Sequence, residues 1–146
     1  MDNRYSAPML AENALPMKSL ITALIVDDDA FSQALAQRIL SNLGFAECVV
    51  AQDGEDGLRC LSHMADLPTV ILCDIFMPNK DGIEFLDELA KRGFPGQVVL
   101  VSGGDPVMLE VAEKLGSYGG LHVVATLTKP LDREQLAQAL GIKLGA

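Results

Sequence analysis

From Ser19 onward, short apolar runs alternate with stretches whose apolar residues recur at helical spacing. The runs are LITALIV (20–26), FAECVVA (45–51), TVILC (69–73), QVVLV (97–101) and LHVVATLT (121–128). Between and after them, helices are predicted from Ala30, Gly54, Gly82, Pro106 and Arg133, which makes five β-α units. TVILC and QVVLV are apolar on both faces, as strands are when helices cover both sides of a parallel sheet. The pattern predicts a doubly wound, five-stranded parallel α/β sandwich with right-handed crossovers.

Polar punctuation supports these boundaries. Asp81 with Glu84, and Asp132 with Gln135, each set a side-chain acceptor at a helix start with a polar residue three positions on, and Asp105 precedes a proline at the first helical position. Gly44, Gly93 and Gly116 stand where the first, third and fourth helices are expected to end, because glycine tolerates the left-handed closing conformation. The last helix is expected to end near Leu140. Residues 1–17, with Pro8 and Pro16 and no sustained periodicity, read as a flexible extension. The domain proper then spans 18–141, and 142–146 form a short tail with no room for an output domain.

The length of 146 residues suits one domain with a core of its own, without disulfide or metal staples. Eleven Lys and Arg against 20 Asp and Glu give a net charge of −9, and no stretch gathers the basic residues, so a nucleic-acid groove is not expected. The start lacks the pattern of a secretory signal and no apolar run is long enough to span a bilayer, so the expectation is a cytoplasmic protein without membrane contact. Cys48, Cys60 and Cys73 are odd in number and lack metal-type pairing, and they read as reduced thiols of the interior.

In an open parallel sheet, ligands bind beyond the carboxyl ends of the strands. There the chain places Asp27, Asp28 and Asp29 after the first run, Asp74 after the third, Ser102-Gly103-Gly104 after the fourth and Thr128-Lys129-Pro130 after the fifth. Carboxylates crowded at one edge repel unless a cation compensates them. Mg2+ takes oxygen ligands and is commonly held by one or two carboxylates, which suits Asp28 and Asp74 with Asp27 close by. The lysine ammonium and serine hydroxyl then suit a phosphoryl group. Asp29 reads as the cap of the first helix. His63 and His122 lie away from this edge and read as structural or surface residues.

The segments LIVDDD, CDIFMPNKDG, VLVSGG and LTKP, in this order and at these strand ends, resemble the receiver domain of bacterial two-component response regulators over about Lys18 to Leu140. The resemblance implies the flavodoxin-like strand order 2-1-3-4-5. It also implies that Asp74 accepts a phosphoryl group from a sensor histidine kinase or phosphotransfer protein. Asp27, Asp28, Asp74 and the backbone carbonyl of Phe76 would hold Mg2+, Lys129 would pair with the acyl phosphate, and Ser102 would be the switch hydroxyl. The bond before Pro130 is usually cis in this family, and Met77-Pro78 with Asp81-Gly82 would form a supporting loop. The function implied is a phosphorylation-controlled signalling switch with intrinsic phosphotransfer and autodephosphorylation chemistry, not a metabolic enzyme.

One position departs from the pattern: three residues before Lys129 the usual Tyr or Phe is Thr126, so the aromatic switch is absent. The stretch EKLGSYGGLHVVATLTKP also resembles receivers attached to cyclic-di-GMP phosphodiesterase domains, and the output partner is otherwise unspecified. Two alternatives stand beside the switch. A pseudo-receiver would act by constitutive protein contact. A Mg2+-dependent aspartyl phosphatase would need a second acid two residues after its nucleophile, where this chain has Phe76.

Overall fold

Each apolar run becomes a strand and each amphipathic stretch a helix. The strands are β1 (Thr22–Val26), β2 (Glu47–Ala51), β3 (Val70–Asp74), β4 (Gln97–Ser102) and β5 (His122–Thr128); the helices are α1 (Ala30–Asn42), α2 (Gly54–His63), α3 (Gly82–Lys91), α4 (Pro106–Tyr118) and α5 (Arg133–Leu140). All strand pairs are parallel, in the order β2-β1-β3-β4-β5. The computed structural model describes residues 21–77, 82–104 and 106–144. The proposed N-terminal extension, the caps at Asp81 and Asp105, and the Pro78–Asp81 loop lie outside the described residues.

Strand alternation divides the core in two. Leu24, Val26, Ile71, Cys73, Val98 and Leu100 face α2, α3 and α4, where they meet Leu61, Phe85, Leu89, Leu109 and Ala112. Ala23, Ile25, Val70, Leu72, Val99 and Val101 face α1 and α5, against Ala36, Ile39, Leu40 and Leu136. Every residue of β3 is buried, as its unbroken apolar run requires for a central strand. Each large side chain buried here stabilises the fold by about 1.5–3 kcal/mol. Cys73 is buried, Cys48 and Cys60 are partly buried, and none of the three is in a disulfide.

Asp29 caps α1 by accepting from the Ser32 amide at 2.8 Å, and Asp132 caps α5 by accepting from Gln135 at 3.0 Å. Asp53 does the same for α2 through the Asp56 amide, a cap the sequence reading passed over. Gly44 and Gly93 have the positive φ expected after a helix. Gly116 does not close α4: it is buried inside a helix that runs on to Tyr118, and the left-handed residue is Gly120. A Cβ at Gly116 would stand 3.0 Å from Val123 Cγ2, so this glycine is needed for helix-to-strand approach instead.

The edge strand β5 carries one extra residue. Val98 pairs with Val123 but Val99 pairs with Ala125, so Val124 has no partner of its own. Val123 therefore packs toward α4, whereas Ala125 and Leu127, two and four positions on, pack toward α1 and α5. That switch leaves Thr126 exposed, on the rim of a groove of about 640 Å³ between α4 and β5.

Candidate functional site

The strand ends converge as the sequence predicts. Asp27 leaves β1, Asp74 ends β3, Ser102 ends β4, and Lys129 follows β5. Asp27, Asp74 and Ser102 are buried at 6%, 4% and 0% exposure, while Asp28 is exposed. Buried carboxylates persist only where something compensates them. Lys129 does so directly, with its Nζ 3.0 Å from Asp27 Oδ2 and 3.2 Å from Asp74 Oδ2.

Backbone amides complete the arrangement. The Phe76 amide donates to Asp74 Oδ1 at 3.2 Å, and the Asp29 amide donates to Asp27 Oδ1 at 2.9 Å. The Gln33 side-chain amide donates to the Asp27 carbonyl at 2.6 Å and ties α1 to the acidic turn. On the far side, the Gly104 amide donates to Ser102 Oγ at 3.0 Å, and the Lys129 amide donates to the Ser102 carbonyl at 2.9 Å. Ser102 and Lys129 are thus fixed at the ends of neighbouring strands, and the Lys129 ammonium reaches the carboxylates.

Two glycines let the backbone close around Asp74. A Cβ on Gly82 would lie 2.6 Å from both the Asp74 carbonyl oxygen and the Ile75 Cα, so the start of α3 approaches the end of β3 only without a side chain. Gly104 lies under the ring of Phe76, where a Cβ would meet Cε2 at 3.1 Å. The bond between Lys129 and Pro130 is cis.

Burial pushes the Asp74 carboxyl above its ordinary value; Asp27 adds to the rise, and Lys129 and the Phe76 amide oppose it without cancelling it. For Lys129, burial disfavours the ammonium, yet its bonds and attraction to Asp27 and Asp74 together hold it above the ordinary lysine value. Asp29 is held low by its bonds to Ser32, as suits a cap.

Asp27, Asp28 and Asp74 each offer a carboxylate oxygen, all within 4.8 Å of one another. Three carboxylates against one ammonium leave negative charge uncompensated, and an all-oxygen donor set suits a hard divalent cation. Beside the acids a cavity of about 300 Å³ opens between α1 and the β5-α5 turn, lined by Leu35, Ala36, Leu72, Val101 and Leu131 as well as Asp74 and Lys129. Phe31 shares its helical spacing with Leu35 and Ile39 but stands at this cavity with 71% of its surface exposed. His63 Nδ1 donates to the Arg59 carbonyl at 2.8 Å and His122 starts β5, away from the acidic edge. No helix among the described residues is long and apolar enough to cross a membrane.

The family described as "Response regulator receiver domain" matches residues 23–141. The chain belongs to the response regulator receiver family. This receiver domain is 31% identical to a probable chemotaxis protein CheY of Rhizobium etli, over 86% of this chain and 94% of that protein. It is 36% identical to the transcriptional regulatory protein MalR of Bacillus subtilis over 83% of this chain, but that match spans only 49% of MalR. Among solved structures, a chain of the CheX-CheY-BeF3-Mg2+ complex from Borrelia burgdorferi superimposes with a TM-score of 0.70 at 26% identity, covering 82% of this chain and 86% of that one. Receiver domains are signalling modules that bind Mg2+ at an acidic aspartate cluster and interact with histidine kinases and phosphotransfer proteins. Asp27, Asp28 and Asp74 form such a cluster here.

Proposed function

We propose that this receiver accepts a phosphoryl group on Asp74 from a sensor histidine kinase or phosphotransfer protein and relays the signal by changed protein contacts. The observation that carries this reading is the buried Asp74 carboxylate, 3.2 Å from the Lys129 ammonium and within 4.8 Å of oxygens on Asp27 and Asp28. An Asp74 oxygen attacks phosphorus, the bond from phosphorus to the imidazole nitrogen of a phosphohistidine breaks, and the imidazole leaves with the electron pair. Lys129 balances charge on the incoming oxygens, and its double pairing holds Asp74 in place beforehand. Asp27, Asp28, Asp74 and the Phe76 carbonyl would hold Mg2+, which supplies positive charge for the phosphoryl oxygens when bound.

Ser102 is the hydroxyl nearest in topology to the modified group, and its Oγ is engaged by the Gly104 amide in the unmodified protein. Its departure toward a phosphoryl oxygen would free that amide at the entry to α4 and couple chemistry to the α4 side of the sheet. Exposed Thr126 cannot supply the usual aromatic movement, so readout proceeds through the β4-α4 turn. Thr126 also favours a second reading, a pseudo-receiver with constitutive contacts. The aspartyl phosphatase reading has less behind it: two residues beyond Asp74, Phe76 offers a ring and no acid.

NMR of labelled protein with beryllofluoride and Mg2+ tests the proposal. Amide shifts clustered at Asp74, Ser102 and Lys129, absent in Asp74→Ala, are expected. An unchanged wild-type spectrum would favour the pseudo-receiver.

A further inference from the structure

Three consecutive acids lead from β1 into α1, and their environments differ. Asp27 is buried and paired with Lys129, and Asp29 caps α1 through the Ser32 amide. Asp28, between them, is exposed, yet it completes the trio of carboxylate oxygens that lie within 4.8 Å of one another. An exposed aspartate has several rotamers open to it, so its aim at a shared cation depends on how firmly its backbone is held.

Half-buried Gln33, the fourth residue of α1, holds that backbone from both sides. Its side-chain amide donates to the Asp27 carbonyl at 2.6 Å, and its backbone amide donates to the Asp29 carbonyl at 2.9 Å. A carbonyl only accepts, so the NH2 end of the side chain is the end that faces it. The Asp27 carbonyl belongs to the planar peptide unit that ends at the Asp28 Cα. The next unit, from Asp28 to Asp29, is pinned by the 2.9 Å bond from the Asp29 amide to Asp27 Oδ1. Both peptide planes that meet at Asp28 are thus fixed, one of them by a side chain six residues away.

We propose that Gln33 is a positioning residue: by holding the peptide plane between Asp27 and Asp28, it aims the Asp28 carboxylate at the cation shared with Asp27 and Asp74. This role rests on the Mg2+ site of the proposed function and goes beyond it, because Gln33 acts through the backbone and not as a ligand. Mg2+ demands near-octahedral ligands at short distances, so a small turn of this plane costs affinity. Groups that orient a metal ligand are typically worth about 10–100-fold in metal affinity. The bond also makes the aim of Asp28 depend on where α1 sits against the end of β1.

The test is Mg2+ titration of the labelled whole chain, followed by NMR, in wild type, Gln33→Met, Asp28→Asn and the double variant. Methionine matches glutamine in length and helix preference but donates no hydrogen bond, so α1 is expected to persist. Gln33→Met should raise the Kd for Mg2+ about tenfold, and without metal it should shift the Asp28 and Asp29 amides. In the Asp28→Asn background the same substitution should cost no more than about twofold, because the charged ligand it positions is already gone. A loss of about tenfold in both backgrounds would mark Gln33 as a general support of the turn and overturn the assignment. So would an unchanged Kd in Gln33→Met, or metal-free spectra unaltered at Asp28 and Asp29. A wild type that binds no Mg2+ would contradict the proposed metal site itself, and the role of Gln33 with it.

Discussion

The ammonium of Lys129 stands 3.2 Å from the carboxylate of Asp74, across a sequence separation of 55 residues. It shares its charge with Asp27, so its removal leaves two buried carboxylates facing each other with no cation. Breaking a fully buried pair costs about 3–5 kcal/mol. Lys129 is partly exposed, and the expected loss for Lys129→Met in metal-free buffer is about 2 kcal/mol. Denaturant unfolding measures it, and adding Mg2+ should recover part of the loss by supplying the missing charge.

The raised pKa of Asp74 gives a second expectation with a definite sign. The unfolded chain gives up this proton first as pH rises, so Asp74 lowers stability across the window from 3.8 up to its raised folded value, and the deficit persists above it. Lys129 runs the other way: its contribution is full below 10.5 and is lost as pH rises through its own raised value. In metal-free buffer near neutral pH, Asp74→Asn should therefore raise the Tm, and its advantage should shrink on acidification and on adding Mg2+ to both proteins. A lower Tm for the variant across this range would show that Asp74 contributes more by pairing than it costs by burial.

Gly82 provides a steric prediction. Gly82→Ala forces a Cβ to within 2.6 Å of backbone atoms of Asp74 and Ile75, which no side-chain rotation relieves. A loss of about 1–3 kcal/mol is expected, together with weaker Mg2+ binding as the end of β3 is displaced. At Gly103 a Cβ would meet only the Lys129 side chain, at 3.6 Å, and Gly103→Ala should leave Mg2+ binding within twofold.

The starts of all five helices and the cores of all five strands were legible, because TVILC-type runs and capped amphipathic stretches are local signals. The acidic cluster was legible for a different reason: parallel topology sends every strand's carboxyl end to one edge, so Asp27, Asp74 and Lys129 meet there and Ser102 shares that edge. Gly116 misled because a glycine that ends a helix and one that admits a neighbouring strand look alike until Val123 is in place. The exposure of Phe31 was not legible, because its spacing matches Leu35 and Ile39 although it stands at the mouth of a cavity. The bond from Gln33 to the Asp27 carbonyl and the extra residue at Val124 had no sequence signature, since both depend on how two elements register.

Thr126 bears on readout. The groove beside it, between α4 and β5, has room for a ring. Thr126→Tyr should change stability by no more than about 0.5 kcal/mol, as expected of an exposed site. It should also extend beryllofluoride-induced amide shifts from the β4-α4 turn into β5. Shifts confined to the same residues as in wild type would show that the ring does not couple to Ser102.

The central claim is chemical modification of Asp74, and intact-protein mass spectrometry after incubation with acetyl phosphate tests it most directly. The account predicts a gain of one phosphoryl group that requires Mg2+ and is lost in Asp74→Ala. No adduct in the wild type with Mg2+ present, or an adduct that persists in Asp74→Ala, would contradict it.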